Sequence, residues 1–122
     1  EWTGGGLYST SRDLAKWGHA LFNGIALSKH STEMMVAGMP TLAGDPVYEY
    51  GLGVAVLTES PWGQSYGHRG WIPGYVSSLR YFPDVDAAIA FQINTDIGIL
   101  GEDRPVVLEI ENRLAAAAVG GR

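Results

Sequence analysis

Cysteine is absent from the chain, which excludes disulfides and thiolate metal sites but leaves the compartment open, because cytosolic and exported proteins can both do without it. Basic residues are few: eight Lys and Arg face thirteen Asp and Glu, and no three basic residues are consecutive. That scatter carries no footprint for a phosphate backbone and argues against nucleic acid as a partner. No apolar run approaches the ~20 residues of a membrane span, and no basic-then-apolar segment opens the chain as an export signal would. An initiating Met is missing too. Glu1 is followed by Trp2-Thr3-Gly4-Gly5-Gly6, and this start predicts a chain that begins inside a longer protein.

Aromatic and aliphatic residues are plentiful. Hydrophobic residues make up 46% of the chain against 17% charged, which places it among ordered globular proteins. At 122 residues it is one domain, large enough to bury roughly two-thirds of the surface its unfolded form exposes.

Thr10 with Asp13 three residues on is a carboxylate variant of the capping box, and Leu14, Trp17, Leu21 and Phe22 follow at helical spacing until Asn23-Gly24. The expectation is an amphipathic helix over 11–22 with that stripe inward. A shorter helix is expected over 31–37, with Met34 and Met35 as its apolar contribution. From Tyr48 the period changes to two, with Tyr50, Leu52, Val54 and Val56 on one face and Gly51, Gly53 and Ala55 on the other, so a strand is predicted there. A middle strand is expected over 64–70. Tyr75–Phe82 and 87–94 flank Pro83-Asp84-Val85-Asp86 and read as an antiparallel hairpin, with Ile89, Phe91 and Ile93 on one face. Pro105 suits a first helical turn, and Val106, Ile110, Leu114 and Ala117 form a stripe ahead of Gly120-Gly121. The predicted class is α+β, an antiparallel sheet with the N- and C-terminal helices covering one of its faces.

Gly63-Gln64-Ser65-Tyr66-Gly67 satisfies the G-x-S-x-G pattern of a nucleophile elbow, but its context does not. An elbow needs a helix leaving the serine, and Gly70, Pro73 and Gly74 stand where that helix would propagate. The plainer reading is a loop entering a strand. Gly51-Leu52-Gly53 does not complete a dinucleotide fingerprint, because Val56 continues a strand. His19 and His30 read as structural, neither paired at helical spacing in a way that suggests zinc, so neither a metal nor a cofactor is expected. His68 stands out because it lies in the most unusual stretch, Tyr66-Gly67-His68-Arg69-Gly70-Trp71-Ile72-Pro73-Gly74-Tyr75, where three glycines allow close backbone approach. A lone His among aromatics is more often packed or on the surface than catalytic, so context has to decide.

Three stretches supply that context: Gly5-Gly6-Leu7-Tyr8-Ser9-Thr10-Ser11-Arg12-Asp13-Leu14-Ala15-Lys16-Trp17, then Tyr50-Gly51-Leu52-Gly53, then 67–75 with Phe82-Pro83-Asp84 after it. In order and spacing they resemble the serine β-lactamase-like hydrolases, a group of penicillin-binding-protein-like enzymes that includes class C β-lactamases, D-alanyl-D-alanine carboxypeptidases, D-aminopeptidases and esterases. The resemblance covers nearly the whole chain and implies the C-terminal portion of a β-lactamase/transpeptidase-like fold over 1–122.

In such enzymes a serine in S-x-x-K attacks a carbonyl, a tyrosine in Y-x-N assists proton transfer, and K-T-G or H-x-G on a strand forms the opposite wall. His68-Arg69-Gly70 resembles that wall in its H-x-G form. The resemblance implies catalytic roles for His68 and for the Trp71 N–H as an oxyanion donor, with Arg69 and Gly70 on the substrate-binding side. No serine here is followed three residues later by Lys and no tyrosine two residues later by Asn. The chain alone is therefore not expected to catalyse acyl transfer. The expectation is a portion of a serine hydrolase acting on ester or amide bonds of small-molecule, peptide or β-lactam-like substrates, paired with its missing N-terminal portion or with a second copy. The competing expectation is a non-catalytic binding or assembly module that kept the fold. Periplasmic or secreted residence is implied by the resemblance alone.

Overall fold

Thr10 begins the first helix as its local chemistry dictates. Its hydroxyl oxygen accepts from the Asp13 N–H at 3.1 Å and its O–H donates to Asp13 Oδ2 at 2.8 Å, so cap and carboxylate satisfy each other. The computed structural model describes residues 5–40, 48–99 and 106–120. Within them α1 is Ser11–Phe22 and α2 is Lys29–Val36; the strands are β1 Met39–Pro40, β2 Tyr48–Tyr50, β3 Ala55–Leu57, β4 Ser65–Ile72, β5 Tyr75–Phe82 and β6 Ala87–Ile93; α3 is Val106–Gly120. The six strands form one antiparallel sheet in chain order, a meander. Pro105 and Gly121, the expected bounds of the last helix, lie outside the described residues.

The helices lie on opposite faces of the sheet, which corrects the expectation of a single covered face. Successive side chains of a strand point to opposite sides. On β5, Leu79 and Tyr81 meet α1: a Cβ added at Gly18 would lie 2.7 Å from Leu79 Cδ1, and the Phe22 and Tyr81 rings stack with centroids 5.7 Å apart. Ser78, Arg80 and Phe82 of the same strand meet α3 instead, through Glu111 and Ala115. Phe82, Ile89 and Ala115, with Trp62, Val85 and Ala118 beside them, form the hydrophobic cluster on that side.

Three further expectations change. The strand expected from Tyr48 through Val56 is two short strands reversing over 51–54. The Gly51 N–H donates to Val54 O at 2.7 Å, and Gly53 takes φ +72°, a left-handed conformation glycine adopts without a steric penalty. The α1 stripe omits Trp17, which is 53% exposed, while Gly18 is buried because it allows α1 to approach β5. On α3 the buried residues are Val107, Glu111 and Ala115, one position on from the apolar Val106, Ile110 and Leu114. A carboxylate on the inner face shifts the helix away from the register its apolar residues alone suggest.

Helix α2 starts earlier than expected, at Lys29. Ser28 caps it, its hydroxyl accepting from the Ser31 N–H at 3.1 Å; Thr32 is buried and Met34 exposed. The middle strand runs two residues further than predicted, to Ile72. Among the described residues no helix is long and apolar enough to cross a membrane.

Candidate active site

Strand β4 carries the stretch that the sequence marks out, and its pairing is asymmetric. Against β5 it pairs from Tyr66 to Ile72, but β3 covers only Ser65, Tyr66 and Gly67. Among the described residues, the outer edge of 68–72 therefore has no partner strand. An open edge of this kind is a template for another extended chain.

Alternation divides the residues of this stretch between the two faces. His68 is opposite Leu79 and Gly70 opposite Ser77, on the α1 side, whereas Arg69 is opposite Ser78 on the α3 side. Arg69 Nε donates to Glu111 Oε1 at 2.9 Å and Arg69 Nη2 to Oε2 at 2.6 Å, a bidentate pair. The Ser78 hydroxyl donates to Oε1 at 2.5 Å, and Arg80 Nε approaches the same oxygen at 3.6 Å. Glu111 and Arg80 are 3% and 2% exposed, so one buried carboxylate lies between the buried Arg80 guanidinium and the exposed one of Arg69. Burial pushes the Glu111 carboxyl up, but the Arg69 hydrogen bonds, the Ser78 hydroxyl and the two positive charges outweigh it and hold it below the ordinary glutamate value. Burial dominates at Arg80 and lowers its guanidinium, against the pull of Glu111.

On the other side lies a cleft of about 660 Å³, between the segment 5–9 and the ends of β4, β5 and β6. Gly70, Trp71, Ile72, Ser77 and Gln92 are among its lining residues. Gly70 keeps the wall open: a Cβ there would stand 2.5 Å from the Ser77 hydroxyl oxygen. The Trp71 indole N–H donates to Asp96 Oδ2 at 3.0 Å, and this bond, followed by the Gly74 N–H, holds the Asp96 carboxyl below its usual range. Pro73-Gly74, with Gly74 at φ +85°, turns the chain from β4 into β5 and leaves Trp71, Ile72 and Tyr75 exposed at the rim.

Of the predicted wall residues, Gly70 and Trp71 line this cleft, Arg69 engages Glu111 on the opposite face, and His68 stands next along the strand. There the Tyr50 hydroxyl and His68 Nε2 are 2.7 Å apart, while His68 Nδ1 contacts the Arg69 carbonyl oxygen. Sequence reasoning missed two participants. The period of two places Tyr50 on a strand face and gives its hydroxyl no partner, although Tyr50-Gly51-Leu52-Gly53 carries part of the resemblance. Glu111 was passed over because apolar spacing cannot find a buried charge.

Ser65, the centre of the elbow pattern, is 1% exposed and opens a strand with no helix after it, so it is not presented as a nucleophile. His19 Nε2 meets Asp86 Oδ1 at 2.9 Å and tethers α1 to the β5–β6 connection, where Asp86 takes φ 45°. Among the described residues no group of three His, Cys, Asp or Glu is arranged to hold a metal ion.

The β-lactamase family model matches residues 1–111. A D-stereospecific amidohydrolase from Streptomyces sp. is similar in structure, with a TM-score of 0.66 and 31% identity over 72% of this chain and 26% of its own. The D-amino acid amidase from Ochrobactrum anthropi SV3, solved with L-phenylalanine amide, gives a TM-score of 0.59 and 28% identity over 70% of this chain and 25% of its own. A penicillin binding protein from Bacillus halodurans shares the fold at 19% identity and a TM-score of 0.62, over 84% of this chain and 30% of its own. The chain thus spans about a quarter of the length of the first two. Comparison with curated proteins gave no match.

Proposed function

Because the chain belongs to the β-lactamase family, we propose that it forms one wall of a serine hydrolase site whose nucleophile lies in a preceding portion of the protein. The observation that carries this reading is the open outer edge of β4 at 68–72, bearing the H-x-G sequence beside a cleft. An acyl group lying along that edge would pass close to Gly70, whose missing side chain keeps the approach clear. The Trp71 N–H would then donate to the oxyanion, with the serine's own N–H as the second donor. Donors of this kind meet charge that develops only in the transition state, and removal of one costs roughly 3–4 kcal/mol elsewhere. His68 holds the polar end of the wall, and Arg69 supports it from behind through Glu111.

The substrates we assign are amides of D-amino acids or short peptides ahead of simple esters, an assignment that rests on the amidohydrolase and amidase likenesses. Among the described residues the outer edge of β6 is also unpaired, which supports completion of the sheet by the rest of the protein or by a second copy. A fluorophosphonate or penicillin probe offered to the full-length protein tests the reading. Covalent labelling together with hydrolysis of a D-amino acid amide is the expected result. A correctly folded protein that neither labels nor hydrolyses would favour a non-catalytic binding or assembly module.

A further inference from the structure

We infer that Tyr50 is a positioning residue for His68 and, together with the Arg69 carbonyl, fixes the tautomer and the orientation of the imidazole. The inference goes beyond the wall assigned above, and it rests on that reading only where turnover is measured.

The two ring nitrogens of His68 have different partners. Nδ1 contacts the Arg69 carbonyl oxygen, which can only accept, so the proton is on Nδ1. In the neutral ring Nε2 then carries a lone pair, and the Tyr50 hydroxyl at 2.7 Å is its donor. The rings meet edge-on, with centroids 5.7 Å apart and planes at 82°. Neither nitrogen is left to turn toward the cleft while both bonds hold. His68 is thereby held at both ring nitrogens in one orientation.

Tyr50 is itself held by the motif that follows it. Its partner in the β2–β3 register is Ala55, and the Gly51 N–H closes the reversal on Val54 O. The Leu52 N–H donates to Met35 O at 2.9 Å, tying the turn to the end of α2. The Met35 carbonyl occupies the space a Cβ on Gly51 would need, so Gly51 lets α2 approach close behind Tyr50. The sequence Tyr50-Gly51-Leu52-Gly53 thus has one physical account: a docked turn that delivers a hydroxyl to an imidazole.

Long-range proton–nitrogen correlation on histidine-labelled protein, at a pH where the imidazole is neutral, reads this directly. The wild-type spectrum should show a protonated Nδ1 and a bare Nε2 for His68. Tyr50→Phe should move it toward the mixture of tautomers found for free histidine. In the full-length protein the same variant should lower kcat by roughly tenfold, at the low end of acid–base and orientation effects, with KM nearly unchanged. A protonated Nε2 in the wild type, or a Tyr50→Phe variant with unaltered spectrum and unaltered kcat, overturns the inference. His68→Ala separates the two readings. If it leaves turnover intact, the role of His68 in the hydrolytic wall falls, while the spectra still decide whether Tyr50 positions the ring.

Discussion

The two faces of strand β4 are built on opposite principles. Behind the strand, Glu111 takes short hydrogen bonds from Arg69 and Ser78 and lies 3.6 Å from Arg80, with Glu111, Ser78 and Arg80 buried and Arg69 closing the cluster toward solvent. In front, Gly70 has no side chain, and Ile72 and Tyr75 are exposed around a cleft. Adjacent residues of one strand therefore turn in opposite directions, Arg69 toward Glu111 and Gly70 toward the cleft, as the two-residue period of the strand requires. The lesson is that an open site needs a rigid back. A wall with few contacts on its working face holds its position through the other face.

Four experiments test that division. The largest effect is expected behind the strand: Glu111→Ala leaves two guanidinium groups without their carboxylate, and breaking a buried pair costs about 3–5 kcal/mol, measurable by urea unfolding. A loss under ~1 kcal/mol would show that the cluster behaves like a surface ion pair. Gly70→Val should invert the pattern. Its side chain would crowd Ser77 and fill the working face, so the full-length protein should lose about a hundredfold in kcat/KM, equivalent to ~2.7 kcal/mol. Its melting temperature should move far less than that of Glu111→Ala, since Ser77 can rotate away. Equal losses of stability and activity would mean that the two faces are not separable.

Acid should distinguish the faces next. The Glu111 carboxyl is held below its unfolded value of about 4.3, so in mild acid the unfolded chain binds the proton first. The stability Glu111 contributes is fully present above that value and is lost as pH falls through the folded one. Thermal melts of the wild type should therefore decline more steeply below about pH 4.3 than those of Glu111→Gln. Parallel curves would remove Glu111 as the cause. The smallest effect belongs to Asp96→Ala at the rim, which releases the Trp71 indole. A few-fold change in kcat/KM with an unaltered melting temperature is expected, and a large drop in melting temperature would show that the rim is structural after all.

Much of this was legible in the residues. Helix α1 over 11–22 followed from Thr10 and Asp13 at its start and Asn23-Gly24 at its end, and the β5–β6 hairpin followed from Pro83 to Asp86 between two apolar runs. The stretch 67–75 was recognisable because its glycines and aromatics are unusual together, and Gly70, Trp71, Ile72 and Tyr75 of it line the cleft. The α3 register was not legible, because a stripe of apolar spacing treats Glu111 as a solvent residue. Only its distance to Arg69, on a strand 42 residues earlier, reverses that reading. The hydrogen bond from Tyr50 to His68 was hidden likewise, since the alternating pattern of 50–56 conceals a reversal that the Gly51 contact with α2 enforces.

The sequence by itself determined the local elements, the class of fold and the stretch that carries the family resemblance. Caps, turns and apolar periods act over a few residues and are written in their order. Tertiary structure alone decided which face each helix covers, that Arg69 turns away from the cleft toward Glu111, and that Tyr50 meets His68. Those outcomes depend on partners far apart in the chain, and hydrogen bonds and ion pairs act over distances that only the folded chain establishes.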